Sequence, residues 1–169
     1  MIALGWLDIA MEHHEAIVKL IREKLYGSAF SLLRGIFELL FKAHWVVGCA
    51  TCEEVDRIAR KDDFRFPGTA AMVDAVDKAF GAGSHFADIK KRGWRAMSSY
   101  THGGLLQLTR RFTGTRVEPN YKLGEIEEVV NSATAAILNF ALLFTAAPDR
   151  TGQDREIQDL ISSFVCGKP

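Results

Sequence analysis

The chain has 169 residues, of which 48% are hydrophobic and 25% are charged, a composition typical of one soluble domain with an apolar core. Its 21 basic and 21 acidic residues sum to zero, and its three cysteines exclude a paired disulfide framework. We therefore expect a single domain over residues 1–169. Asp8 and Glu12 interrupt the first apolar run before it reaches signal-peptide length, which predicts a cytoplasmic protein.

The first half of the chain predicts four helices. Apolar residues recur with helical periodicity, and no alternating strand pattern or two-residue hairpin signal stands out. The predicted helices cover residues 4–25, 28–47, 51 to the charged stretch at 60–63, and 69–80.

A cysteine pair precedes the third of these helices. Cys49-Ala-Thr-Cys52 has a spacing found in redox sites and zinc knuckles, but zinc needs two more soft ligands and Cys166 is the only other cysteine. Thr51-Cys-Glu-Glu54 also has the form of a capping box that starts a helix. We therefore predict no metal site and no cofactor.

The second half predicts further helices and completes an all-α fold. One helix carries Arg95, and others cover residues 105–112, 125 to before Pro148, and 153–165. Residues 129–148 contain no charge, but polar residues interrupt this run and no basic or aromatic belt flanks it. We expect a core helix that is buried on most sides, and no membrane partner. The prediction is a single up-and-down helical bundle of about five to seven helices.

The segment Arg95-Ala-Met-Ser-Ser-Tyr-Thr-His102 is the leading candidate for a functional site. A spacing of seven residues is two helical turns with a drift of only about 20°, so both side chains leave the same face of one helix. Arginine can hold a phosphate oxygen by a forked hydrogen bond, and histidine exchanges a proton near neutral pH. The pair therefore predicts a site that handles phosphodiesters.

Basic residues are concentrated around this helix. Residues 81–122 contain eight lysines and arginines against Asp88 and Glu118, which gives +6 and leaves −6 for the rest of the chain. This asymmetry predicts a local surface that attracts anions. The alternative is a solvated helix face that acidic neighbours balance in the fold.

A second group of residues lies in the second predicted helix. Arg34 and Glu38 are four residues apart and share a helix face among the aromatic residues Phe37, Phe41 and Trp45. Burying charges is costly unless they are well paired. Arg34 and Glu38 therefore either orient His102 or bind the same anion, or they simply pair with each other.

At these residues the chain resembles the HEPN (higher eukaryotes and prokaryotes nucleotide-binding) superfamily, which is marked by Arg, four to six residues, then His. Arg95 and His102 have six residues between them. The wider pattern is similar to an uncharacterised bacterial family of HEPN-like bundles, through residues 28–38 with Trp45, residues 100–104 and residues 119–121.

The resemblance implies a compact helical bundle and a metal-independent endoribonuclease of toxin or antiviral systems. It also implies a homodimer in which two motifs face each other. His102 would be the general base or acid, and Arg95 would stabilise the transition state. Arg34, Glu38 and Tyr100 would support them.

Two other functions stay open from the sequence. The first is a noncatalytic helical module that binds a nucleotide, a small anion or a protein partner through the same cleft. The second is a nucleic-acid-binding protein that does not cut, with Trp94 and Tyr100 as the stacking residues. Binding of the second kind weakens steeply with salt.

Overall fold

The computed structural model describes residues 1–61 and 63–145, and these form seven α-helices and one short β-hairpin. The predicted all-α bundle is confirmed. The predicted helix over residues 153–165 lies outside the described residues. The elements are α1 (Ile2–Arg22), α2 (Tyr26–Gly48), α3 (Cys52–Arg60), α4 (Thr69–Phe80), α5 (His85–Thr101), α6 (Leu105–Thr109), β1 (Phe112–Thr113), β2 (Arg116–Val117) and α7 (Leu123–Thr145).

Helix α2 is the centre of the bundle, because α1, α4, α5 and α7 all pack against it. Its sequence is apolar around most of its circumference, and it contributes nine of the 22 buried hydrophobic residues of the described core. Ile36 and Leu40 have no exposed surface, and Phe41 is 1% exposed. A charged side chain on this helix, such as Arg34, is therefore held against a neighbouring helix.

Local signals fix several helix ends. The capping box predicted at Thr51 is confirmed, since the Thr51 hydroxyl accepts from the Glu54 backbone N–H and the Glu54 carboxylate accepts from the Thr51 N–H. Helix α5 begins differently. The buried carboxylate of Asp77, on α4, accepts hydrogen bonds of 2.9 Å from the backbone N–H groups of Phe86 and Ala87.

The predicted helix over residues 105–112 is wrong at its end. Helix α6 stops at Thr109, and Phe112 instead pairs with Val117 in an antiparallel hairpin. Gly114 has φ of +60°, which allows the tight turn between the two strands. The backbone N–H groups of Glu118 and Asn120 then donate to the carbonyls of Arg111 and Arg110, and these bonds hold the connection against the end of α6.

The expectation that the last long helix is buried on most sides is also wrong for the described residues. Helix α7 buries one stripe against α1 and α2. Leu123, Leu138 and Leu142 are 70%, 46% and 61% exposed. By length and composition alone, the helix Leu123–Phe144 could cross a bilayer. Of the 18-residue apolar stretch within it that meets this criterion, 28% is buried in the protein.

Candidate functional site

His102 lies at the C-terminal end of α5, where glycines turn the chain sharply. The His102 N–H donates to the Ser98 carbonyl, and the Gly104 N–H donates to the Ser99 carbonyl at 2.7 Å. Gly103 has φ of +66°, so the helix ends in a Schellman motif. A methyl group at Gly104 would lie 2.6 Å from Ser99 Oγ and 3.1 Å from Ser99 Cα. This turn therefore requires glycine and leaves the imidazole exposed.

Arg34 connects α2 to this helix end. Its Nε donates to Glu38 Oε1 at 2.8 Å, and its Nη1 lies 3.2 Å from Ser98 Oγ and 2.7 Å from His102 Nε2. Its guanidinium carbon lies 4.8 Å from the centroid of the Trp94 ring. We refer to Arg34, Glu38, Ser98 and His102 as the Arg34 cluster.

The contact with Arg34 assigns different hydrogen-bonding roles to the two ring nitrogens of His102. A guanidinium has only donors, so Nε2 must accept the hydrogen bond with its lone pair. In this contact Nδ1 is therefore the nitrogen that carries the ring N–H. Ser98 is also an acceptor for Arg34. Its hydroxyl donates its own proton to the Trp94 carbonyl at 2.7 Å, so its oxygen accepts the hydrogen bond from Arg34.

The start of α2 and the end of α5 are locked in register by further polar contacts. Thr101 Oγ1 donates to the Ser31 carbonyl at 3.1 Å, and Gln107 Nε2 donates to the Gly27 carbonyl at 3.3 Å. A methyl group at Gly27 would lie 2.8 Å from Arg111 Nη2, so the loop after α6 approaches this helix closely. The basic segment that follows His102 is thereby packed at the same end of the bundle as Arg34.

Arg95 is exposed and makes no hydrogen bond or ion pair with any residue that the structure describes. Arg95, Ser98 and His102 are separated by three and four residues, so they form one stripe of α5. Ser98 and His102 both contact Arg34, and this places Arg95 one turn further along the same stripe. The arginine in contact with His102 is thus Arg34, on α2.

For Arg34 and Glu38, pairing with each other does not exclude a contact with His102. The two side chains pair with each other, and Arg34 also contacts His102. Sequence reasoning did not identify Ser98 as a site residue. The available signal was its position one turn before His102 on the same face, three residues after Arg95.

Tyr100 does not join the Arg34 cluster. Its ring packs edge-on against Phe30 with centroids 4.9 Å apart, and its hydroxyl lies beside the Arg110 guanidinium. Burial raises the pKa of Tyr100, nearby Glu125 and Tyr121 add to this effect, and Arg110 opposes it. The phenol therefore stays protonated at neutral pH and belongs to a different face of α5.

No group of three His, Cys, Asp or Glu side chains suited to holding a metal occurs within residues 1–61 and 63–145. Cys49 is half-buried and burial raises the pKa of its thiol, whereas Cys52 is exposed in the first turn of α3. Cys166 lies outside the described residues.

The Arg34 cluster has the donors to bind an oxyanion. Nε and Nη1 of Arg34 are engaged, whereas Nη2 makes no hydrogen bond to a described residue and is not buried. Its two N–H groups, the Nδ1–H of His102 and the unpaired Arg95 can all donate to phosphate oxygens. Glu38 neutralises one positive charge, so Arg95 supplies the net charge of the stripe.

No curated protein and no solved structure matches this chain. Residues 7–165 match the sequence pattern of one family, which spans nearly the whole chain. The chain therefore belongs to DUF6988, a family of unknown function.

Proposed function

We propose that the chain is a metal-independent endoribonuclease in which His102, Arg34 and Arg95 act on the phosphodiester of RNA. The observation that carries this proposal is the 2.7 Å contact between Arg34 Nη1 and His102 Nε2 at an exposed helix end. It joins a proton acceptor to a phosphate-binding cation. The resemblance of the Arg95 to His102 segment to the HEPN motif points to the same chemistry.

In the proposed reaction, the 2′-hydroxyl of a ribose attacks the neighbouring phosphorus. Arg34 shifts Nη1 from His102 to a phosphate oxygen, and this frees the Nε2 lone pair to take the proton of the 2′-hydroxyl. The bond between phosphorus and the 5′-oxygen breaks, and that oxygen takes up the proton that His102 removed, passed on through a water molecule, so that His102 regains its Nε2 lone pair. The products are a 2′,3′-cyclic phosphate and a 5′-hydroxyl end, with no net change in protons.

The remaining residues position these groups. Glu38 holds Arg34 Nε and Ser98 holds one N–H of Nη1, so the guanidinium stays oriented while the other N–H of Nη1 and those of Nη2 would donate to the phosphate. Arg95 supplies a second cation to the negative charge that grows on the phosphoryl oxygens. Tyr100 has no part in this step, because it lies on another face of α5.

The test is incubation of the purified protein in EDTA with a mixture of single-stranded and structured RNA. We expect cleavage that leaves cyclic phosphate ends and falls by about 10²–10⁴-fold in His102→Ala. His85→Ala is the matched control, because His85 is also an exposed histidine of α5 but lies at its other end. A folded wild-type protein that leaves RNA intact would overturn the proposal.

A noncatalytic anion-binding module is the second candidate function. It is favoured by the engagement of the His102 lone pair by Arg34, which leaves His102 without a free base in the observed arrangement. In that case inorganic phosphate or a nucleoside monophosphate binds at Arg34 Nη2 and Arg95. Calorimetric titration with AMP would then show binding by a protein that does not cut RNA, and Arg34→Met would abolish it.

The ribonuclease proposal includes a homodimer, as the resemblance implies. Exposed apolar side chains occur in the segment after His102, among them Leu105 at 72% and Val117 at 78% exposure. Such side chains are suited to burial against a second copy. Sedimentation velocity tests this part, with a dimer expected for the wild type and monomer for Leu105→Lys combined with Val117→Lys.

A further inference from the structure

A groove runs between α5 and α7, with α2 as its floor. Three large side chains of α2 line the floor and are at most 8% exposed, namely Phe30, Leu33 and Phe37. Small side chains in both walls leave a cavity of about 560 Å³ above this floor. They include Gly93 and Ala96 of α5 and Ser132, Ala135 and Ala136 of α7.

The chain leaves the described bundle at one end of this groove. Helix α7 ends at Thr145, six residues after Asn139, the last residue of α7 that lines the groove. His85 Nε2 lies 3.3 Å from Asn139 Oδ1, so the start of α5 is at the same end. A segment that turns back after Thr145 can therefore run along the groove between the two helices.

The sequence that follows predicts a helix with one apolar face. Large apolar residues of the segment 153–165 recur at spacings of three and four residues, which places them on one stripe, with Arg155 and Asp159 on the opposite face. The sequence pattern of the family continues through residue 165, so it includes this segment. The apolar stripe consists of Ile157, Leu160, Ile161 and Phe164.

The dimensions of the segment and of the groove agree. A helix over residues 153–165 is about 20 Å long, and α7 rises about 21 Å between Glu125 and Asn139, the outermost residues of α7 that line the groove. The seven connecting residues 146–152 can reach at most about 23 Å, and the return from the end of α7 to the level of Asn139 needs about 9 Å. Pro148 within this connection favours a change of chain direction.

Charge favours a segment that runs antiparallel to α7. Residues 149–159 carry four acidic and two basic side chains, which sum to −2, and Lys168 lies beyond the predicted helix. In the groove, Arg92 lies in the half nearer Asn139, and Glu128 lies in the other half. The antiparallel direction therefore brings the acidic part of the segment to Arg92 and Lys168 towards Glu128.

We propose that residues 153–165 of this chain form a helix that packs in the groove antiparallel to α7, with the apolar stripe against α2. The segment thereby covers the floor and joins α5 to α7. None of the residues of the Arg34 cluster lines the groove, so the proposal does not rest on ribonuclease activity.

Cys166 provides the test, because it follows the predicted helix directly. Cys49→Ser and Cys52→Ser leave it as the single cysteine, to which a nitroxide is attached in the full chain. Nuclear magnetic resonance of the ¹⁵N-labelled protein then shows which backbone amide signals the nitroxide broadens. An antiparallel helix brings the nitroxide to the end of the groove that Tyr100 and Glu128 line.

The amide signals of Tyr100 and Val129 should therefore be lost, and those of His85 and Asn139, at the end where the segment enters, should be broadened less. A segment that extends away from α7 places the nitroxide beyond Thr145 and gives no loss at Tyr100 and Val129. That result, or stronger broadening at His85 than at Tyr100, would overturn the proposal.

Matched variants test the two contacting surfaces. Ile161→Glu puts a charge on the apolar stripe and should restore the signals of Tyr100 and Val129, whereas Ser162→Glu adds the same charge on the opposite face and should not. On the groove side, Ser132→Arg should restore these signals, and Asn131→Arg, at an exposed position that does not line the groove, should leave them broadened. Equal results within either pair of folded variants would contradict the proposed packing.

A mixture distinguishes the chain's own segment from that of a second copy. Chains with the nitroxide but without ¹⁵N are mixed with ¹⁵N-labelled chains without the nitroxide, and no groove signal should be lost. Loss of the Tyr100 and Val129 signals in this mixture would show that the groove holds the segment of another copy, which would overturn the proposal. RNA cleavage is measured separately, so a chain that leaves RNA intact but shows the expected broadening refutes only the ribonuclease proposal.

Discussion

Arg34 distributes its donors among three side chains from two helices, and a single substitution can therefore separate charge from geometry. The guanidinium reaches Glu38, Ser98 and His102 at once because its N–H groups are fixed in a planar fork. A lysine at this position keeps the charge but offers one ammonium on a flexible stem. It cannot hold all three partners in the same geometry.

Arg34→Lys should therefore lower kcat/KM for RNA cleavage by at least about 100-fold, the size expected when an oriented donor to a developing oxyanion is lost. Arg60→Lys is the control, because Arg60 also pairs with an acid four residues away, Asp56, on an exposed helix face. The measurement is steady-state cleavage of a fluorogenic RNA, with thermal unfolding to check folding. A loss of less than threefold in Arg34→Lys would remove Arg34 from the proposed site.

His44 allows a prediction of pH dependence that involves the core. It is 5% exposed, its Nδ1 donates to the Leu40 carbonyl at 2.9 Å, and its ring packs against Phe86. Burial lowers the pKa of His44, the hydrogen bond to Leu40 opposes this, and His85 adds a smaller lowering effect. Protonation therefore favours the unfolded chain, in which the pKa of histidine has its ordinary value.

The contribution of His44 to stability is present above the ordinary histidine pKa and is lost as the pH falls through the lower folded value. The free energy of unfolding should thus decrease on acidification from about pH 7.5 to about pH 5, by at most about 1.4 kcal/mol per pH unit for one proton. Urea unfolding measures this. His44→Phe should flatten the slope, whereas His85→Gln should keep most of it because burial is the largest cause. An unchanged slope in His44→Phe would contradict the assignment.

At the scale of elements, α5 carries Ser98 and His102 on the face next to Arg34 and Tyr100 on another face. Contacts with other parts of the chain hold this helix at both ends. Asp77 of α4 binds the backbone N–H groups of its first turn. The Schellman motif at Gly103 and Gly104 closes its last turn. In the same last turn, the Thr101 hydroxyl donates to the Ser31 carbonyl of α2. The position of His102 relative to Arg34 thus depends on contacts made outside the Arg34 cluster.

Asp77→Asn should destabilise the protein by about 2–3 kcal/mol, because an amide replaces one of two charge-assisted acceptors with a donor that faces the Phe86 or Ala87 N–H. Asp74→Asn, one turn earlier on the exposed face of α4, should change stability by less than about 0.5 kcal/mol. Chemical denaturation of both variants provides the measurement. Similar values for the two would show that Asp77 does not anchor α5.

The same elements show which features can be predicted from the sequence. Thr51 with Glu54 starts α3 because both partners of the capping box lie within four residues. The hairpin at Phe112 has no signal in the sequence, because its strands are two residues long and too short for an alternating pattern. The absence of charge from residues 129–148 favours a helix buried on most sides there, but it is α2 that has the neighbours to bury it.

The candidate site also has one part that the sequence predicts and one part that it does not. The helical stripe from Arg95 to His102 follows from spacing alone. The contact between Arg34 and His102 joins residues that are 68 positions apart, and it depends on how α2 and α5 are aligned. No local pattern specifies that register, so the sequence offered the Arg34 contact only as one of several alternatives.

At the scale of the whole molecule, charge is distributed unevenly although the total is zero. Residues 81–122 carry +6 and the remainder −6. The loop after α6 packs against the start of α2, and this brings Arg111 to the end of the bundle that contains His102. A polyanion should therefore approach the protein from this end.

Binding of RNA should accordingly weaken as salt displaces the protein from the phosphates. A 2′-O-methyl oligonucleotide, which cannot form the cyclic phosphate, allows affinity to be measured by fluorescence anisotropy from about 50 to about 200 mM salt. Contacts with roughly three or four phosphates would give a slope of log affinity against log salt of about −2 to −3.

Arg95→Gln should reduce the magnitude of this slope by about 0.7, the effect of one phosphate contact. Arg65→Gln makes the same change of charge at an exposed position beyond the other end of α2 and should leave the slope unchanged. Equal effects of the two substitutions would mean that net charge, and not the stripe of α5 beside Arg34, attracts the RNA.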